Sequence, residues 1–155
     1  PEMVFIKKVV QDNIDLLSAA AENKDIILQN RVPHEATCFV DQELIKTVIR
    51  NLLSNAVKFS NRNGKVVISA KDKRTTVELY ISDTGVGIDS AMLKHLFTID
   101  QAKSTPGTNN ESGTGLGLVI TKEFVELNKG VLQVDSTPGE GSTFIVTLPK
   151  NKFNG

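Results

Sequence analysis

A single cysteine, Cys38, is all the chain contains, so no disulfide can close within it. Net charge is missing too. Eighteen Lys and Arg balance eighteen Asp and Glu, so no overall field draws the chain to nucleic acid or anionic lipid, and any specificity must be local. No apolar run approaches the roughly 18 residues needed to span a bilayer, and the sequence shows neither an internal repeat nor a low-complexity tract. A cytoplasmic segment without direct membrane contact is expected. Neither an initiator Met nor a signal-peptide pattern stands at Pro1, so the chain reads as a piece of a longer protein.

What is present suits one core: 155 residues, 39% hydrophobic and 23% charged, read as one domain over 1–155. The hydrophobic period changes along the chain, and each change marks an element. Phe5, Ile6, Val9, Val10, Ile14 and Leu17 have amphipathic-helix spacing within 4–22. Residues 26–32 suit a strand ended by Pro33, 42–60 a second helix, and 61–64 a turn. Alternation predicts strands at 65–71, 76–82, 131–135 and 142–149, with a third helix at 116–127. Hairpins with helices between them predict an α+β fold: a two-layer α/β sandwich with three main helices on one face of a mixed, mostly antiparallel sheet.

Three stretches carry chemistry. The first is "GTGLGL", Gly113, Thr114, Gly115, Leu116, Gly117 and Leu118, at the start of the third helix. Glycine permits close approach of the backbone, and a helix start offers unpaired N–H groups and the positive end of its dipole, so the stretch can cradle phosphate. It is not the dinucleotide fingerprint, because its glycines are spaced G-x-G-x-G after a polar loop, and the chain has no Walker A sequence. The loop before it, 98–115, is nearly free of apolar residues and reads as a lid over about 98–113, or else as a plain solvated linker.

In the second stretch, "TTVELYISDTGVGI", alternation puts Val77, Leu79, Ile81 and Asp83 on one face of a strand. Asp83 thus ends an inward row, where an ionised carboxylate needs hydrogen-bond donors such as a purine amino group. Gly85 and Gly87 would leave room for a flat base. Asp-Thr-Gly also suits a simple turn. An aspartic protease would need two such carboxylates in a β-rich body.

The third stretch, "RNLLSNAVKFS", lies on the second helix. Asn51, Asn55, Lys58 and Arg62 fall in one stripe beside an apolar arc of Ile45, Ile49, Leu52, Leu53 and Ala56. An amide oxygen can ligate Mg²⁺ and a Lys can neutralise phosphate, although a solvated polar face would look the same.

In this order the motifs resemble the catalytic and ATP-binding domain of sensor histidine kinases, within the Bergerat-fold ATPases that include DNA gyrase, the mismatch-repair ATPases and the large heat-shock chaperone. "NLLSNAVKF" resembles the asparagine box, "DTGVGI" the first glycine box, "LF" at 96–97 the phenylalanine box, "GTGLGL" the second glycine box and "GEGSTFIVTLP" the closing strand. The resemblance implies ATP and Mg²⁺ as cofactors. Asp83 would accept from the adenine amino group, with Gly85, Gly87, Ile88 and Ser142 around the base. Asn55 would ligate Mg²⁺, with Asn51 a second candidate, and Lys58 would reach a phosphate. Phe59 and Phe97 would flank the nucleotide and the lid, and 113–118 would cradle phosphates.

It implies, too, transfer of the γ-phosphoryl group to a histidine on a separate helical dimerisation and phosphoacceptor domain, with a response-regulator receiver downstream and no nucleic-acid partner. Hydrolysing relatives usually carry Glu four residues before the metal-binding Asn, whereas this chain has Asn51. It should therefore hold ATP rather than hydrolyse it. Two other readings stay open: a nucleotide-sensing module without transfer, and the ATPase clamp of a gyrase-, mismatch-repair- or chaperone-type machine. The phenylalanine box departs from the family in continuing "LFTIDQAKST", which leaves Lys103 the only basic residue inside the lid. Neither His34 nor His95 has the helical context of a phosphoacceptor.

Overall fold

The computed structural model describes residues 1–95 and 117–152. In chain order the elements are β1 (Glu2–Phe5), α1 (Ile6–Asn23), β2 (Ile27–Asn30), β3 (Thr37–Val40), α2 (Gln42–Phe59), β4 (Lys65–Asp72), β5 (Thr76–Asp83), α3 (Ser90–His95), α4 (Gly117–Leu127), β6 (Val131–Thr137) and β7 (Gly141–Pro149).

The second amphipathic stretch of the sequence becomes α2. Asp41 caps it by accepting from Leu44 N at 3.2 Å, and Glu43 in the first turn and Lys58 in the last suit the helix dipole. Ile49, Leu52 and Leu53 have no exposed surface, as their i, i+3, i+4 spacing requires of a helix laid on a sheet. The sheet has strand order β2-β4-β5-β7-β6, with β2 parallel to β4 and the other pairs antiparallel. Helix α2 packs on β4 and β5, α1 on α2 and β2, and α4 on α2 and β6. Val66, Ile68, Val77, Leu79, Ile81, Val146 and Leu148 fill the space between the layers. The result is the expected sandwich.

Three features depart from the sequence reading. Residues 2–5 are not the start of the first helix. They form β1, which pairs antiparallel with β3 through Met3↔Phe39 and Val4↔Cys38, and Phe5, assigned to the helix's apolar stripe, is 60% exposed. Val4 is buried from a strand as readily as from a helix, so helical spacing could not exclude this; pairing with a distant segment decided it. The same pairing made a strand of 37–40, which was not anticipated, nor was the short α3. Cys38 is fully buried, and desolvation pushes its thiol up to about 12.

Candidate functional site

At one end of the sheet the inward row is polar. Register aligns Asp83, Ser142 and Ser136 across β5, β7 and β6, with apolar Val66 beside Asp83 on β4. Asp83 is half-buried, as its place at the end of the Val77–Leu79–Ile81 row demands. Its carboxylate accepts from Gly85 N at 2.8 Å and from Ser142 N. Burial raises its pKa above the usual 3.8, and these two backbone donors lower it, leaving a net rise. It lines a cleft of about 200 Å³ together with Ser136, Ser142, Asp135 and Glu140. That is room for a base rather than a whole nucleotide, since sites enclosing a complete ligand run to roughly 300 Å³ and more. Carboxylates along this end disfavour phosphate, so a nucleotide here would direct its phosphates away from it.

The loop after β5 is locked to the end of α2. Val86 N donates to Phe59 O at 3.2 Å, and a side chain at Gly85 would collide with the Phe59 carbonyl. Gly87 has φ +74 and lies against the Thr137 carbonyl, while Gly139 N donates to Val86 O at 2.8 Å. These glycines are dictated by the packing of backbone on backbone, a reason distinct from the expected space for a base. Gly117 differs. A side chain there would meet nothing within 4 Å among the described residues.

On α2, Asn51, Asn55, Lys58 and Phe59 are half-buried along one face. The Asn51 amide donates to Thr121 Oγ1 at 3.3 Å and to Gly117 O at 3.5 Å, and Thr121, fully buried, donates to Gly117 O at 2.7 Å. The start of α4 is thereby tied to the polar stripe of α2. Lys58 Nζ sits 5.0 Å from the centre of the Phe59 ring. Arg62 does not extend the stripe as expected: α2 ends at Phe59, and the guanidinium turns to Asn23 O at 3.0 Å and Asp25 at 3.7 Å.

The described parts of the three stretches singled out in the sequence therefore meet, Phe59 with Gly85 and Val86 and Asn51 with Gly117, and Asp83 meets Ser142 of the closing strand. Chain segment 40–152 matches the model of the family described as histidine kinase-, DNA gyrase B- and HSP90-like ATPase. The chain belongs to this ATPase family. It is 34% identical over 152 residues to the non-motile and phage-resistance protein of Caulobacter vibrioides, covering 96% of this chain and 18% of the relative. Against the sensor-like histidine kinase SenX3 of Mycobacterium tuberculosis it is 33% identical over 150 residues, covering 94% and 36%. It thus spans little more than a third, or less, of the relatives it matches. The catalytic domain of the histidine kinase ThkA superimposes with a TM-score of 0.82 at 24% identity, covering 96% of this chain and 94% of that one, and shows the fold.

For this ATPase domain the fit of Mg²⁺ can be judged from its donors. Among the described residues no group of three or more His, Cys, Asp or Glu could hold a metal, and none donates or accepts a hydrogen bond with the Asn55 amide. A hard cation held by one amide oxygen needs further oxygen ligands, which phosphates and water supply; the residues fit a metal that arrives with a triphosphate and not a standing site.

Phe97, Lys103, Gly113, Thr114, Gly115 and Leu116, and the lid over 98–113, lie outside the described residues. Leu118 turns its side chain onto the core. His34 stands exposed in a turn and His95 ends α3. Three residues in contact with these stretches or lining the cleft escaped the sequence reading: Ser136, Thr121 and Lys24. Ser136 follows the predicted end of β6 by one residue, so extending the alternation would have found it. Lys24 is 4% exposed, and its ammonium donates to Val57 O at 3.0 Å and Lys58 O at 2.9 Å at the end of α2; nothing local in the sequence marks it.

Proposed function

We propose that this domain binds Mg²⁺-ATP and donates the γ-phosphoryl group to a histidine of a separate helical dimerisation and phosphoacceptor domain in the cytoplasm, with a response-regulator receiver as the next acceptor. The observation that carries this reading is the meeting of three polar elements at one end of the sheet: the Asp83–Ser142 row, the Asn51–Asn55–Lys58 stripe and the start of α4.

Each element has a separate task. Asp83 takes a hydrogen bond from the base. The N–H groups at the start of α4 and the Lys58 ammonium offset phosphate charge. The Asn55 amide oxygen would hold the metal, which when bound would neutralise charge on the transferring group. In the transfer a P–N bond to the imidazole forms as the bond from the γ-phosphorus to the bridging oxygen breaks, ADP leaves, and the imidazole gives up its N–H proton outside this domain. Positioning and charge neutralisation are most of what such a reaction needs. Asn51 cannot act as a general base on water, which favours transfer over hydrolysis.

The test is direct. The domain should bind ATP and ADP with Mg²⁺ by calorimetry. With γ-labelled ATP it should neither label itself nor hydrolyse appreciably, and an added acceptor-helix domain should become labelled. Hydrolysis at a rate unaffected by the acceptor would favour the clamp reading, and binding without transfer the sensing module.

A further inference from the structure

Ser136 Oγ is surrounded by three polar groups. It accepts from Ile88 N at 2.7 Å, donates to Gly141 O at 3.0 Å, and lies 2.7 Å from Ser142 Oγ. A hydroxyl has one proton. With the Ser136 proton on the Gly141 carbonyl, the bond between the two serines is donated by Ser142. Ser142 is then left with lone pairs alone toward the cleft that it lines with Asp83, and Asp83, already accepting from two backbone N–H groups, presents further lone pairs there.

We infer that Ser136 is a positioning residue for base selection: by taking the Ser142 proton it makes Ser142 an obligatory acceptor, so that this end of the cleft admits a 6-amino purine and disfavours a 6-oxo purine. This rests on the nucleotide reading above and adds the device that sets its preference. An exocyclic amino group carries two diverging hydrogens and can donate to both Asp83 and Ser142. A 6-oxo group can donate to neither, and leaves buried acceptors facing an acceptor. Ser142 is only 7% exposed, so water cannot easily relieve the mismatch. Backbone geometry alone would not impose this polarity, because an unrestrained serine hydroxyl turns to donate wherever an acceptor appears. The same serine knot joins the loop after β5, through Ile88, to the β6–β7 hairpin.

The experiment compares the affinities of ATP and inosine triphosphate for the wild-type domain, Ser136→Ala, Ser142→Ala and Ser136→Thr, with thermal melts to establish folding. The wild type should favour ATP by at least about tenfold. In Ser136→Ala the Ser142 hydroxyl is free to donate to a 6-oxo group, and in Ser142→Ala the opposing acceptor is gone. Both should narrow the ratio about fivefold or more, while Ser136→Thr, which keeps the hydroxyl, should retain it. A wild-type ratio in Ser136→Ala overturns the inference while the nucleotide reading stands, as does a wild type that binds the two triphosphates equally. A wild type that binds neither removes the nucleotide reading itself. Should Ser136→Ala not fold, Ser136→Cys, whose thiol is a much weaker acceptor, replaces it, and a wild-type ratio there overturns the inference.

Discussion

The carbonyl of Phe59 lies against Cα of Gly85 more closely than any side chain at that position would tolerate, and the next residue, Val86, donates to that same carbonyl at 3.2 Å. The end of the helix bearing Asn55 and Lys58 and the loop following Asp83 are thus one rigid joint. Gly85→Ala must separate them, and a loss of about 1–3 kcal/mol in unfolding free energy is expected together with weakened nucleotide binding. Gly117→Ala meets no such obstacle among the described residues. Its stability should be unchanged or raised, with triphosphate affinity falling if phosphate approaches there. Denaturant titration alongside calorimetry separates the two cases.

Asp83→Asn replaces one acceptor by an amide that can donate against a donor. Affinity for ATP should fall by roughly ten- to a hundredfold, about 1–3 kcal/mol, in a protein that still melts cooperatively. Unchanged affinity would remove Asp83 from base recognition.

The raised pKa of Asp83 adds a pH dependence. A base amino group favours the ionised carboxylate, so affinity for adenosine, which has no phosphate to titrate, should decline as pH falls through a value above 3.8, and Asp83→Asn should lack that decline. For stability the sign is opposite. A carboxyl whose folded pKa lies above its unfolded value favours the folded state below 3.8, and that contribution disappears as pH rises through the folded value. Nucleotide-free wild type should therefore gain in melting temperature relative to Asp83→Asn as pH is lowered across this range.

Asn55→Ala should reduce phosphoryl transfer to an added acceptor domain much more than it reduces ATP binding, because a metal held at Asn55 would act chiefly on charge that develops at the transferring group. Single-turnover labelling at saturating ATP, set beside the binding constant, measures both. Equal losses in the two would assign Asn55 to binding alone.

Lys24→Met removes a buried ammonium from the carbonyls of Val57 and Lys58. Those acceptors end α2, where a cation is favoured by the helix dipole as well as by hydrogen bonding. A loss of about 1–3 kcal/mol is expected by chemical denaturation, with weaker ATP binding because Lys58 and Phe59 belong to the same turn. Lys24→Arg should recover part of both.

The sheet's antiparallel hairpins and the extent of α2 and α4 were legible because burial on one face leaves a period that local sequence carries: Val77, Leu79 and Ile81 are each buried on the strand that alternation predicted. Strands β1 and β3 were not legible. Each has four residues, and neither has a reason to be extended until the other is beside it. Arg62 was misplaced for a related reason. The stripe was drawn by continuing a helix whose end depends on Lys24 and on the loop after β5, both distant in sequence.

By itself the sequence determined which side chains were available and their local direction: amides and a lysine on one helical face, a carboxylate ending an inward row, glycines at a helix start. Those follow from fixed periods of 3.6 and 2 residues. Only the tertiary structure decided that Asn51 meets Gly117 and Phe59 meets Gly85, that Gly85 and Gly87 answer to backbone contacts, and that the Ser136 and Ser142 hydroxyls share one hydrogen bond at 2.7 Å. Such relationships join residues tens of positions apart or depend on how a single hydroxyl proton is shared, and no local period encodes either.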